Sequence, residues 1–267
     1  MISCGGGIAA FRYARFASFL ASCGIPVLTY DYRGIGSSRP ASLRGFRAAA
    51  EDWSEFDCAG AIAQLRSRYG AADLVGVAHS IGALITGGAP NATEFARYLF
   101  VCPHTGYYRD YLLKHRLPMA AMWHGVMPAL TQIFGYFPAK ALRLGEDIPA
   151  EVAMQWAARR SPDLRPEATT RDASRARLMM ARYATLQGSA LAIGFRDDSF
   201  ATMKGMRRLL AAFPNLQAEI WLIAAADVHM KSIGHFGFFR REAAPALWPR
   251  VLSFVDPVGR GLTTAEH

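Results

Sequence analysis

The chain has 267 residues, 52% of them hydrophobic and 19% charged, with a formal net charge of +9. That composition excludes a disordered or fibrous protein, and the length allows one sizeable core, for which an α/β domain with an insertion is the default. No apolar run approaches a membrane span. The basic excess, much of it arginine between Arg159 and Arg182, has no nucleic-acid motif and no interleaved stacking aromatics, so it reads as a solvated helical face and no nucleic-acid partner is expected.

The chain starts abruptly. Met1-Ile2-Ser3-Cys4 is too short for a full strand and runs straight into Gly5-Gly6-Gly7. No charged stretch followed by an apolar core marks a signal peptide. Cys4, Cys23, Cys58 and Cys102 lack metal-ligand spacing, and three of them sit in apolar segments, which fits free buried thiols in a reducing cytosol. Phe16, Phe19, Leu20 and Cys23 fall at i, i+3, i+4 and i+7 of a first helix, closed by Gly24. The β-rich run 26–30 predicts a buried strand that empties into the tight loop Asp31-Tyr32-Arg33-Gly34-Ile35-Gly36-Ser37-Ser38. A second helix is expected over 46–68, with Phe56, Ala59, Ile62 and Leu65 on its inner stripe.

Next come an apolar strand, Leu74-Val75-Gly76-Val77, the hexapeptide Val77-Ala78-His79-Ser80-Ile81-Gly82, and a helix of small residues. This is a variant of the nucleophile elbow G-x-S-x-G. The serine must sit in a strained turn so that its hydroxyl clears the sheet, and the residues two before and two after must be small because strand and helix nearly touch. Gly82 meets that demand; Ala78 stands where the pattern has glycine. A further strand over 97–102 completes a helix–strand alternation that predicts a parallel sheet covered on both faces.

The alternation breaks at Pro103. Residues 104–188 show no convincing strand, only helical segments punctuated by Pro118, Pro128, Pro138, Pro149, Pro162 and Pro166 and dense in aromatics and methionines. They predict a helical lid inserted into a core formed by 1–103 and 189–267. Strands at 189–194 and 218–223, a helix over 202–212 and a last helix over 242–254 resume the pattern.

In open α/β sheets, ligands sit beyond the carboxyl ends of the strands. Ser80 lies at such an end, as do Asp197 and Asp198 after one later strand and His235, within Gly234-His235-Phe236-Gly237, after the last. A serine hydroxyl is a poor nucleophile until a histidine takes its proton, and an acid fixes the imidazole tautomer. The chain order nucleophile, acid, base is that of the α/β-hydrolases. The spacing Gly194-x-x-Asp197 puts Asp197 first as the acid, with Asp198 its rival and Asp227 a weaker third. His229 reads as a surface residue and His79 as structural. The oxyanion hole is expected from the backbone N–H of Ile81 and a second one near Gly5-Gly6-Gly7.

Over nearly its whole length the chain resembles the α/β-hydrolase superfamily, and within it a group of bacterial hydrolases related to the serine aminopeptidase and monoglyceride-lipase-like branch. The resemblance is carried by Thr29-Tyr30-Asp31-Tyr32-Arg33-Gly34-Ile35-Gly36, Gly135-Tyr136-Phe137-Pro138, Gly145-Glu146-Asp147-Ile148-Pro149 and Ile233-Gly234-His235-Phe236-Gly237-Phe238-Phe239-Arg240. It implies Ser80 as nucleophile, Asp197 or Asp198 as acid, His235 as base, and neither a metal nor an organic cofactor. Similar proteins begin with a β-hairpin and a complete strand before the oxyanion loop, so a shortened N-terminus is expected here. The function expected is a cytoplasmic serine hydrolase that cleaves an ester or related acyl bond through an acyl-enzyme, with a hydrophobic acyl substrate. The alternatives are an acyltransferase using the same site and a hydrolase-like binding protein without turnover.

Overall fold

A computed structural model describes residues 1–159, 164, 172–257 and 259. Its centre is a five-stranded, wholly parallel sheet in the order β1-β2-β3-β6-β7. The strands are β1 (Ile2–Ser3), β2 (Leu74–His79), β3 (Phe95–Val101), β6 (Gly188–Phe195) and β7 (Leu216–Ile223). One row of the register runs Ile2, Val77, Leu99, Leu191, Glu219 across all five. β2 and β3 are buried along most of their length, as inner parallel strands must be, whereas β7 is exposed at Gln217, Ala218 and Glu219 and forms an edge.

Two separate groups of helices cover the sheet. In one, α1 (Ala14–Ser22) packs against α10 (Ala244–Val255), with Phe16 edge-on to Trp248 at 5.4 Å between ring centres. In the other, α4 (Gly82–Gly88) lies against α8 (Ala173–Tyr183) and a π-helical turn, Trp53–Cys58. That turn sits between α2 (Ala50–Asp52) and α3 (Ala59–Tyr69). α9 (Met203–Leu210) connects β6 to β7.

Three expectations are corrected. The run 26–30 is not a buried strand: it makes one parallel bridge, Thr29 to Ile2, and its residues are half-buried or exposed. Only the two-residue β1 is there to pair with it. The second helix begins at Ala50, and its π turn inserts an extra residue that shifts the helical phase. Phe56, placed on the inner stripe, is therefore 55% exposed under the Arg33 guanidinium, while Trp53 and Cys58 point inward. The segment 104–188 does contain strand: β4 (Tyr136–Phe137) and β5 (Ile148–Pro149) pair antiparallel.

Otherwise that segment is helical, with α5 (Leu113–Ala121), a π turn at Met122–Val126, α6 (Met127–Phe134), α7 (Ala150–Ala157) and α8. Pro162 and Pro166 lie outside the described residues. The segment docks by specific bonds. Gln155 on α7 accepts from the Ala50 N–H and donates to Glu51, and Arg39 pairs with Asp147. The basic face is not simply solvated: Arg175 pairs with Asp52 and Glu55, and Arg182 with Glu55. Among the described residues no helix is long and apolar enough to cross a membrane.

Candidate active site

β2 delivers Ser80 and α4 carries the chain away. Ser80 has φ of 59°, in the left-handed region that a residue with a Cβ occupies only under local strain. The Ser80 N–H donates to Val101 O of β3 at 2.9 Å, which fixes the turn to the neighbouring strand. Gly82 is obligatory, because a Cβ there would run into the Cys4 carbonyl oxygen. At Ala78 the extra methyl is accommodated in full burial.

The sheet brings Asp198, not Asp197, to His235. Asp198 Oδ2 accepts from His235 Nδ1 at 2.8 Å, while its Oδ1 accepts from the Phe200 and Ala201 N–H groups at 2.8 and 3.1 Å. Burial pushes this carboxyl upward. The His235 charge, the hydrogen bond from His235 and the two N–H donors outweigh that and hold it well below the usual carboxylate range. Asp197, placed first by spacing, instead accepts from the Ile233 and Gly234 N–H groups at 2.7 and 3.0 Å and so anchors the loop that presents His235. Asp227 accepts from the Ala224 N–H and His229 is exposed; neither joins the site.

His79, fully buried beside the serine, supports the same loop. Tyr13 hydroxyl accepts from the Gly5 N–H at 2.8 Å and so donates to His79 Nδ1 at 2.9 Å, leaving His79 Nε2–H to donate to the His235 carbonyl at 3.0 Å. Burial, aided by the His235 charge, holds His79 well below the usual histidine range and keeps it neutral.

Ser80 Oγ does not hydrogen-bond to His235 among the described residues. Its partner is His104 Nε2 at 3.0 Å, a residue that motif spacing does not single out. The Gly106 N–H donates to His104 Nδ1 at 3.0 Å, so Nδ1 is the lone-pair nitrogen and Nε2 carries the proton. His104 is therefore a donor to Ser80 Oγ. Burial, with help from the His235 charge, pulls it down to about 3 and keeps it neutral. It stands just beyond β3, the strand next to β2 that delivers Ser80, and that position is the signal by which the sequence could have shown it. The rings of His104 and His235 are 5.3 Å apart.

The candidate oxyanion donors divide. The Gly5 N–H is committed to Tyr13, which corrects its expected role. Neither Gly6 N–H nor Ile81 N–H has a partner among the described residues. The two are neighbours: a Cβ on Gly6 would lie 2.8 Å from Ile81 Cδ1 and 2.7 Å from Trp156 Cζ3. Close approach of this kind is what glycine permits.

Cys102, Asp198 and His235 each place a ligand-type atom within 4.8 Å of the others. Asp198 Oδ2 and His235 Nδ1 bond each other, and burial raises the Cys102 thiol well above its ordinary value. The trio is thus accounted for as a hydrogen-bonded carboxylate–imidazole pair beside a protonated thiol. The cysteines are all free, and Cys23 alone of the four is not fully buried.

No curated protein matches the chain in sequence. In structure it is similar to a monoacylglycerol lipase from Paleococcus ferrophilus (13% identity, 95% of this chain and 92% of that one, TM-score 0.59). It is also similar to an esterase from Pyrococcus furiosus (15% identity, 96% and 80%, TM-score 0.57) and to a metagenome-derived lipolytic enzyme (15% identity, 95% and 91%, TM-score 0.57). At these identities the likeness establishes the fold. The family model for serine aminopeptidase S33 hydrolases matches residues 1–228, and the chain belongs to that family: it is an α/β-hydrolase enzyme.

Proposed function

We propose that the protein is a serine hydrolase that cleaves a carboxylic ester of a small-molecule acyl substrate through a Ser80 acyl-enzyme. The observation that carries this reading is the convergence of a strained Ser80 with the Asp198–His235 pair at the carboxyl edge of one sheet.

In the reaction Ser80 Oγ attacks the ester carbonyl carbon, and its proton passes to His235 Nε2. Asp198 holds the other ring nitrogen protonated and stabilises the imidazolium. The N–H groups of Gly6 and Ile81 receive the developing oxyanion. Collapse breaks the ester C–O bond, and the alcohol leaves with the proton from His235. Water then repeats the sequence, delivering its own proton to His235 and releasing the acid and free Ser80.

His235 is the base and His104 is not, for two reasons. His104 Nε2 already bears a hydrogen, and among the described residues its Nδ1 meets the Gly106 N–H and no carboxylate that would stabilise its cation. Its part is positioning: by donating to Oγ it occupies one lone pair and leaves the hydroxyl's own hydrogen free to turn toward His235. The segment 104–188 acts as the lid, its Trp156 covering Gly6 and Ile81.

Labelling by a fluorophosphonate, compared among the wild type, Ser80→Ala and His235→Ala, tests the reading. Labelling that requires both side chains is expected. Labelling that survives Ser80→Ala would remove Ser80 as nucleophile, and no labelling of the folded wild type would remove the hydrolase reading.

A further inference from the structure

Beside the elbow, Trp53, Ile81, Ile85, Val152, Trp156 and Arg159 line a narrow cavity. The cavity is closed down to about 10 Å³, the space of about one water molecule. Its lining is apolar except for Gln155, whose amide is engaged by the Ala50 N–H and Glu51, and Arg159. Arg159 Nη1 donates to Thr105 O at 2.8 Å, while Arg159 Nε is sealed from solvent and has no partner among the described residues. Trp156 Nε1 and Thr105 Oγ1 are likewise buried and unpartnered. Two of these donor groups converge: at the position a Cβ on Gly106 would occupy, Trp156 Nε1 lies 3.5 Å away and Arg159 Nη1 3.9 Å.

Buried polar groups are normally satisfied, and a buried cation normally has an anion. Arg159 contrasts with six partly covered arginines of the same chain. Arg33, Arg39, Arg66, Arg175, Arg182 and Arg208 each pair with a carboxylate. Arg159 pairs with none among the described residues. The nearest buried acid, Glu51, is engaged by Gln155 Nε2 and acts on Arg159 only at a distance. Burial accordingly pulls the guanidinium below its usual value, with Tyr183, Glu51 and Tyr111 opposing. The site thus offers two nitrogen donors without an acceptor, Arg159 Nε and Trp156 Nε1, beside a Thr105 hydroxyl that can donate or accept, and a cation with no carboxylate partner among the described residues. What completes it must bring acceptor oxygens and negative charge.

Its place relative to the chemistry sets the length of the ligand. One edge of the Trp156 indole lies beside Gly6, where the oxyanion is to be held, and its Nε1 lies on the Gly106 side, near Arg159 Nη1. From the reacting carbonyl to the donors is therefore about one indole, a span of a few methylenes. We propose that Arg159, Trp156 and Thr105 bind a carboxylate at the far end of a short acyl chain, so that the substrates are monoesters of short dicarboxylic acids. The cavity, closed to the space of about one water, must widen as the ligand enters; its apolar walls then take the methylenes and Arg159 takes the terminal charge. This inference rests on the hydrolase reading for its chemistry, but not for the anion site itself.

The test compares kcat/KM for p-nitrophenyl butyrate and mono-p-nitrophenyl glutarate in the wild type, Arg159→Met and Arg159→Lys. The wild type is expected to favour the glutarate ester by about 10-fold or more, since a buried charge-assisted pair discriminates on the order of 10–100-fold. Arg159→Met should lose that preference while keeping butyrate turnover within about threefold, and Arg159→Lys, which keeps the charge without the planar fork, should retain part of it. Equal turnover of both esters by the wild type, or a parallel loss of both in Arg159→Met, would overturn the proposal. Should neither ester be cleaved, the hydrolase reading fails separately. The anion site is then decided by free glutarate, which must raise the Tm of the wild type and not of Arg159→Met; no rise in the wild type overturns it.

Discussion

His104 Nε2 lies 3.0 Å from Ser80 Oγ, and the Gly106 N–H bonded to the opposite ring nitrogen makes that contact a donation to the serine. The proposed nucleophile is thereby held by one histidine while another, His235, is backed by a carboxylate. If His104 positions and does not accept protons, its effect depends on a donor and not on an imidazole. His104→Phe should lower kcat for an activated ester by about 10-fold, the worth of one hydrogen bond to the nucleophile. His104→Gln, whose amide can donate from a similar position, should recover to within about threefold. KM should change little in either. A loss in His104→Gln as deep as that of His235→Ala would mean that His104 is the base.

The two neighbouring aspartates separate chemistry from architecture. Asp198 faces His235, whereas Asp197 binds the backbone of Ile233 and Gly234. Asp198→Asn should cost roughly 10³–10⁴-fold in kcat, since an amide cannot hold the same imidazole tautomer or stabilise its charge. Asp197→Asn should cost less than about 10-fold in kcat but about 1–3 kcal/mol in stability, as two N–H groups lose a charged acceptor. Matched kcat and urea-unfolding measurements check both; the reverse ranking in kcat would return Asp197 to the acid's role.

How the sequence speaks to these sites follows from the physics of each signal. Ser80 was legible because an elbow demands small residues at fixed offsets, and Gly82 records that demand. His235 was legible from its flanking glycines and its place in chain order. The choice between Asp197 and Asp198 was not, because adjacent residues at a strand's end diverge to opposite sides and only the three-dimensional turn assigns them. Gly5 could not be told from Gly6, since the commitment of the Gly5 N–H to Tyr13 is a contact across eight residues of chain. His104 carries no motif, only its place just beyond a strand end, and Arg159 not even that: their roles come from a neighbour on another strand or from an absent partner. In the fold, the parallel core was read from its alternation, while Phe56 was misplaced because a π turn leaves little trace in a 3.6-residue period.

The neutral buried histidines set an acid limit on stability. His104 is held down to about 3 in the folded chain, against about 6.5 when unfolded. Between those values the unfolded chain binds a proton that the folded one refuses. The stabilisation is thus full above pH about 6.5 and is lost as pH falls toward 3, at about 1.4 kcal/mol per pH unit. His79 shifts in the same direction and adds to the slope. Urea unfolding of the wild type and His104→Phe at pH 6, 5.25 and 4.5, above the range where carboxylates dominate, should show the variant's slope shallower by about one proton. Equal slopes would mean that His104 is protonated in the folded chain.

The elbow's two small positions should respond unequally. At Gly82 an added Cβ meets backbone, the Cys4 carbonyl oxygen just past β1, which cannot shift without dragging β1 off β2. Gly82→Ala should therefore cost about 3 kcal/mol or more, in the range of severe overpacking. At Ala78 the methyl is already packed and wholly buried. Ala78→Gly would restore the familiar elbow sequence, yet it removes that packing and adds backbone freedom to the unfolded chain, so it should cost about 1 kcal/mol and leave fluorophosphonate labelling of Ser80 within about twofold. A stabilising Ala78→Gly would show that the methyl strains the strand–helix contact, and a tolerated Gly82→Ala would show that Cys4 and α4 stand farther apart than the turn at Ser80 requires.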